Sequence, residues 1–342
     1  MSEKKVTGIL ISNDNTYERK RLADLLPLYA PLSIDFHPST FCNIKCIFCM
    51  HSSTNPCYDS IKNKMMDFEL LKKAINDIKN FHQKIKAIHF CGIGEPLMNK
   101  NIAKMIKYTK DTNVAEKIDI NTNGILLNKK NSKALIDSEI DFIRISVNGL
   151  SKQDFKEYTG ADVDFDKYVE NLTYLYNNRK NTKIYIKILD FMVETPEKKE
   201  LFYKIFEPIC DSINIERYNE CFLDTKDKDK LKDSNLSQRG EFLGVQKCCA
   251  QPFFKMEVLP DGNIHPCTEA RTPLVSGNIK DDTIVNIWNS KKLNDFRLKM
   301  LQGTKFASKI CAECAFIKVC YFSSDNIDSE TERLKEYYKK KV

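Results

Sequence analysis

Short apolar runs alternate along this chain with longer stretches of helical spacing, and the alternation persists from residue 33 to about residue 215. Residues 33–38 alternate apolar and polar, with Ile34 and Phe36 on one face, and read as a strand leading directly into a cysteine-rich loop. Asp67 is placed to cap a helix whose Leu71, Ala74, Ile75 and Ile78 follow the 3.6-residue period. Further strands are expected at 86–91, 118–121, 142–147, 184–192 and 212–215, with helices near 102–108, 132–138, 165–177 and 197–206. Six strands alternating with helices imply an α/β fold with a parallel sheet, which right-handed crossovers curl into a six-stranded partial barrel.

The pattern fails on both sides of that region. Residues 1–32 are polar and mixed, with one amphipathic piece at 22–28 that Pro27 and Pro31 interrupt; they are expected to pack on the barrel or cover its base. Residues 224–238 are charged and aperiodic, which suits a linker. Beyond them Gly, Pro and Cys become denser and the alternation stops, marking a second, smaller domain. The expected division is a 1–32 extension, a 33–223 barrel, a 224–245 linker, a 246–325 cysteine-rich domain and a 326–342 charged tail or helix.

Composition narrows the function. A chain of 342 residues holds one barrel-sized domain and a smaller one. No run approaches 18 apolar residues, and residues 1–29 lack the apolar core of a secretory signal, so a soluble, cytoplasmic protein is expected. Thirteen cysteines then point to metal in a reducing compartment rather than to disulfides. The net charge of +7 comes from lysines scattered through the helices, and no basic, aromatic-interleaved nucleic-acid face is evident.

The candidate chemistry begins where the first strand ends. Cys42, Cys46 and Cys49 stand at C-x3-C-x2-C spacing with Phe48 before the last thiol. Three thiolates on a four-iron cube leave one iron open to a small molecule, whereas an electron-carrying cluster is closed by four. A zinc knuckle completed by His51 is the alternative for these thiols. Gly92-Ile93-Gly94-Glu95-Pro96 follows the second strand, at the end where barrels bind ligands, and its glycines permit close backbone approach. Two later strands end in Asn121-Thr122-Asn123-Gly124 and Ser146-Val147-Asn148-Gly149, whose polar groups either bond a ligand or satisfy their own turns. Near the C-terminus Cys249, Cys267, Cys311, Cys314 and Cys320 form a second set, which iron–sulfur or zinc would suit.

The Cys42–Cys49 loop with Phe48 resembles the signature of the radical S-adenosylmethionine (radical SAM) enzymes. The resemblance implies a partial TIM-type (β/α)6 barrel whose open iron binds SAM and, once reduced by a flavodoxin- or ferredoxin-like partner, cleaves it to a 5'-deoxyadenosyl radical. Gly92, Gly94 and Glu95 resemble the family's Gly-Gly-Glu-Pro motif for the methionine end of SAM, with Ile93 in place of a glycine; Asn123 and Ser146 match positions used for SAM. Residues 249–314 resemble the twitch or SPASM extension, which implies Cys249, Cys267, Cys311 and Cys314 as ligands of an auxiliary 4Fe–4S cluster, with Cys320 an alternative and Cys248 a substitute for its neighbour. Ser324 stands where a full SPASM domain continues with cysteine, so one auxiliary cluster is expected.

Within the twitch group the chain is similar to 2-deoxy-scyllo-inosamine dehydrogenases, aminocyclitol oxidases in which residues matching Glu269 and Arg217 contact substrate. This implies a radical SAM oxidoreductase that oxidises an alcohol of an amino-sugar or cyclitol and passes an electron to the auxiliary cluster. The competing expectation is a peptide maturase forming formylglycine or thioether bonds, or a redox-neutral epimerase with Cys91 or Cys221 as hydrogen-atom donor.

Overall fold

The computed structural model describes residues 20–225, 236–238, 240–242, 244 and 246–342. Most of the 224–245 linker and residues 1–19 of the extension lie outside the described residues.

Six parallel strands run in chain order: β1 (Ser33–Phe36), β2 (Ile85–Phe90), β3 (Ala115–Thr122), β4 (Phe142–Ser146), β5 (Lys183–Leu189) and β6 (Ser212–Glu216). Each connection carries a helix, which returns the chain to the same end of the sheet as a parallel pair requires. Ile34 and Phe36, Ile88 and Phe90, Ile143 and Ile145, and Ile184, Ile186 and Ile188 join one core with the covering helices. The helix Phe68–Ile78 shows the logic in miniature: Asp67 accepts the N–H groups of Glu69 and Leu70, and Leu71, Ala74, Ile75 and Ile78 are buried. The fold class read from the sequence is therefore observed.

The sheet does not stop at six strands. Lys255–Val258 (β7) pairs parallel with β1, Ser33 opposite Lys255 and Phe36 opposite Val258, and the antiparallel β8 (Asn263–His265) and β9 (Gly277–Asn278) extend that edge. The complete order is β6-β5-β4-β3-β2-β1-β7-β8-β9. The cysteine-rich segment is thus continuous with the barrel sheet, because polar interior positions of β1 and β7 complement each other across the pairing.

Residues 20–32 pack on the barrel in part: Ala30 joins the barrel core, and the Leu32 carbonyl accepts the Ala87 N–H of β2 at 3.2 Å. The short helix Leu22–Leu25 enters a second core with Phe253, Phe296, Met300, Leu334 and Tyr338, and Arg333 donates to the carbonyls of Ala23 and Leu26. The structure also contains a helix absent from the sequence reading, Lys152–Thr159, capped by Ser151 through the N–H of Asp154. Among the described residues no helix is long and apolar enough to cross a membrane.

Opposite the apolar faces, the strands present charge to the barrel interior. Asp119 binds His89 Nδ1 at 2.8 Å and Arg144 Nε at 3.1 Å, and Lys187 binds Glu216 at 2.7 Å. Burial opposes ionisation of Asp119, yet His89 and Arg144 outweigh it and bring its carboxyl down to about 2. Burial likewise works against a charged His89, and Asp119 overrides it, so the imidazole titrates above its usual value. The Asp119 contribution to stability is present above its unfolded value of 3.8 and lost as pH falls through about 2. The His89 contribution is full below 6.5 and lost as pH rises through its raised folded value. Asp119→Asn is accordingly expected to cost about 3–5 kcal/mol, and the gap to wild type should narrow as urea melts are moved upward from pH 6. A gap independent of pH would remove His89 from the account.

Candidate functional site: two thiol clusters at the sheet edge

The first cysteine loop leaves β1 and is held by segments remote in sequence. The N–H groups of Lys45 and Ile47 donate to Thr159 and Tyr158 carbonyls at 3.0 and 2.9 Å, so the end of helix Lys152–Thr159 fixes the loop. Cys46 is buried, and its thiol lies 3.8 Å from Asn148 Oδ1. Cys42, Cys46 and Cys49 sense one another electrostatically, and burial above all holds each thiol above its usual range, Cys42 up to about 12. Phe48 makes edge contacts with Phe191 and Tyr218 at centroid distances of 5.8 and 6.2 Å, and Phe191 meets Tyr158 at 5.7 Å. This aromatic cluster packs against one side of the loop.

The glycine loop after β2 is clamped onto the cysteine loop. The N–H of Glu95 donates to the Phe41 carbonyl at 2.8 Å, and a Cβ on Gly94 would stand 2.4 Å from that oxygen and 2.5 Å from the carbonyl oxygen of Ser39. Gly92 has φ +114°, and a Cβ there would meet the His37 ring at 2.0 Å. His37 accepts the Ile93 N–H at 3.2 Å through Nδ1 and pairs through Nε2 with Glu257 of β7 at 2.8 Å. His51, the fourth zinc ligand of the alternative reading, instead places Nε2 2.5 Å from the Ile93 carbonyl.

Two residues matched to SAM contacts have their polar atoms engaged. Glu95 is 2% exposed and accepts from Leu97 N, Thr122 Oγ1 and Asn123 N at 2.7–3.0 Å, while burial raises it to about 6. Asn123 donates through Nδ2 to Asn43 and accepts the Ile125 N–H, tying the β3 turn to the cysteine loop. Their side chains therefore brace the loops. Ser146 is half-buried at the end of β4, and its carbonyl receives the Asn148 amide.

The second set of thiols surrounds one pocket lined by Cys249, Cys267, Cys311 and Cys314 together with Glu269, Pro252 and Met300. Burial chiefly raises Cys249, to about 12, and it also raises Cys267, Cys311 and Cys314. Cys248 points away into the second core, its N–H on Asp328, and Cys320 lines an adjoining pocket that shares Cys249. Among the described residues no three His, Cys, Asp or Glu groups converge as a single ion requires. Four soft sulfur donors around a pocket suit a four-iron cube, and the three thiols of the first loop suit a cube with one iron left open.

Arg217 and Glu269, each matched to a substrate contact, stand in different surroundings. Arg217 is exposed after β6, and among the described residues the guanidinium on Glu269 belongs to Arg271, which spans both carboxylate oxygens at 3.1 and 2.8 Å. Proximity in sequence favours that closure: only Ala270 separates Glu269 from Arg271, and a cation stabilises a buried carboxylate. Asn43 and His37 went unread in the sequence, since isolated polar residues beside a strand end carry no spacing signal.

Comparison with known proteins agrees with this geometry. Residues 36–201 match the radical SAM superfamily, and residues 248–315 match the SPASM iron–sulfur cluster-binding domain. The chain is 37% identical over 116 residues to an uncharacterised protein of Methanocaldococcus jannaschii, covering 33% of this chain and 37% of that protein. It is 31% identical over 150 residues to GTP 3',8-cyclase of Clostridium perfringens, covering 44% of each. The chain thus spans about four-tenths of the length of these relatives. Among solved structures it resembles BtrN in complex with AdoMet and 2-DOIA, with TM-score 0.52 and 20% identity over 84% of this chain and 94% of that one. It also resembles Streptococcus suis SuiB bound to precursor peptide SuiA, with TM-score 0.61 and 17% identity over 97% and 84%. At these identities the likeness is one of fold. A barrel that clamps a three-thiol loop against a glycine loop, continued by a four-thiol pocket along the same sheet, places the chain in the radical SAM superfamily with a C-terminal SPASM domain, using a 4Fe–4S cluster, S-adenosylmethionine and auxiliary iron–sulfur.

Proposed function

We propose that this chain is a radical SAM oxidoreductase that oxidises an alcohol of a small amino-sugar or cyclitol, with a flavodoxin- or ferredoxin-like reductant. The observation that carries the reading is the four-thiol pocket, since four ligands close a cluster and suit it to accepting electrons. Cys42, Cys46 and Cys49 would hold the first cluster, and Cys249, Cys267, Cys311 and Cys314 the auxiliary one. When bound, the first cluster and SAM supply a 5'-deoxyadenosyl radical, and the auxiliary cluster supplies a one-electron acceptor.

The chain's own residues supply placement. Gly92 and Gly94 let the glycine loop, which would hold the methionine end of SAM, close on His37 and the cysteine loop, while Glu95, Asn123 and His37 hold the loops in register. Phe48, Phe191 and Tyr218 pack together beside the cysteine loop. The interior supports a ligand rich in O–H or N–H groups: Asp35 Oδ1 and Asn121 Oδ1 are buried acceptors without a hydrogen bond among the described residues. Glu269, held by Arg271, serves as pocket wall in this reading, and Arg217 remains a candidate only for reaching substrate from outside.

Peptide maturation is the second reading, favoured by the likeness to SuiB over 97% of the chain. Anaerobic incubation with amino-sugars, cyclitols and peptides, following deoxyadenosine and product mass, separates the two. The expected outcome is loss of two hydrogens from a cyclitol or amino-sugar, by protein carrying about eight irons as two four-iron clusters. A mass change confined to peptides, or an unchanged mass with inverted stereochemistry, would defeat alcohol oxidation.

A further inference from the structure

We propose that Arg297 is the countercharge of the auxiliary centre, a buried cation that stabilises its reduced form and so sets its reduction potential. The inference rests on reading the Cys249, Cys267, Cys311 and Cys314 pocket as an iron–sulfur site.

Helix Lys291–Met300 contributes Phe296 and Met300 to the wall of that pocket, and the Met300 sulfur accepts the Cys249 N–H at 3.3 Å. Arg297 stands between these two on the same helix and is 2% exposed. Its Nε donates to the carbonyl of Pro252, another wall residue, at 2.9 Å, and its Nη1 donates to the Trp288 carbonyl and Asn294 Oδ1, both at 2.9 Å. The guanidinium lies 4.0 Å from the Trp288 ring centroid. Nη2 is buried without a hydrogen-bond partner, and among the described residues no carboxylate lies within ion-pair distance of Arg297. Burial pulls the group down to about 10, so it remains a cation at neutral pH.

A buried charge without a counterion is costly, and among the described residues the other buried cation, Lys255, is paired with Asp35, as are the half-buried Arg144 with Asp119 and Arg271 with Glu269. Only Arg297 is set behind the pocket wall with neutral partners alone among the described residues. Four thiolates around a four-iron centre carry net negative charge, which grows by one unit with each electron taken up. A fixed cation in a low-dielectric wall therefore favours the reduced form. The wall explains the arginine, and the arginine favours an electron acceptor there over a centre that is merely structural.

Potentiometric titration of anaerobically reconstituted protein, in which dithionite supplies one electron per centre through mediators and both clusters are followed by EPR, tests the assignment. Arg297→Gln should lower the auxiliary midpoint so that the reduced-to-oxidised ratio at fixed potential falls at least tenfold, about 59 mV for one electron, while the SAM-site midpoint stays. Arg297→Lys should keep the wild-type midpoint. Asn294→Asp, nearly isosteric and placed on Nη1, neutralises the cation in place and should shift the midpoint in the same direction as Arg297→Gln. If the glutamine variant does not fold, the aspartate variant decides alone. An unchanged auxiliary midpoint in either folded variant, or equal shifts of both clusters, overturns the proposal. Wild-type protein with only four irons and one EPR signal would instead overturn the reading of the pocket itself.

Discussion

Cys46→Ala is expected to bring SAM cleavage to background, with loss of about four irons per chain while the auxiliary EPR signal persists. Cys46 is the most enclosed thiol of its loop, with Asn148 at 3.8 Å and the flanking N–H groups of Lys45 and Ile47 bound to helix Lys152–Thr159. No other thiol can take its place without unpicking those bonds. The same loss is expected of Cys42→Ala and Cys49→Ala. Cys57→Ala, by contrast, should keep both clusters, since that thiol lies outside the loop on the short turn Pro56–Tyr58. Deoxyadenosine formation measured with dithionite and SAM, beside iron and sulfide content, provides the check. A Cys46→Ala protein that still cleaves SAM would remove this loop from the mechanism.

The second large effect is expected at Gly94. An added methyl would stand 2.4 and 2.5 Å from two backbone carbonyl oxygens, and backbone yields far less readily than a side-chain tip. Relief requires the glycine loop and the cysteine loop to separate, which breaks the bond from Glu95 N to the Phe41 carbonyl. Overpacking of this kind costs about 1–3 kcal/mol, and if that cost falls on the SAM-binding arrangement, affinity drops by roughly 5- to 150-fold. Gly160→Ala is the control: its φ of +70° carries the left-handed strain, yet no atom lies within 4 Å of the added methyl. It should cost about 1 kcal/mol and leave SAM binding as it was. Equal SAM dissociation constants for Gly94→Ala and wild type, at equal iron content, would show that the clamp does not shape the site.

Much of the fold was legible because it is periodic. Strand positions read at two-residue spacing and helix positions at 3.6 landed on the observed elements, with Asp67 capping its helix as expected. The missed helix Lys152–Thr159 is short and polar, with Phe155 its one fully buried large side chain, so periodicity had little to register. The extension divides between two cores, Ala30 joining the barrel and Leu22 and Leu26 the C-terminal one, because nothing in the sequence of a short apolar piece marks which core it enters. The choice between Cys248 and Cys249 was equally invisible, since adjacent residues point to opposite sides and only the packing of Asp328 and Met300 says which is which.

What the sequence by itself determined is everything local: the spacing of the thiols, the glycines where no Cβ fits, and the alternation that makes a parallel sheet. The tertiary structure alone decided which remote polar groups meet. Lys255 meets Asp35 across 220 residues, the end of a helix near residue 159 holds the cysteine loop, His37 meets Glu257, and Arg297 stays without an acid among the described residues. The physical reason is that covalent spacing and steric size are written along the chain. A buried charge, by contrast, takes whichever partner the closed sheet brings within about 3 Å, a distance over which ion pairing in a low-dielectric interior outweighs proximity in sequence.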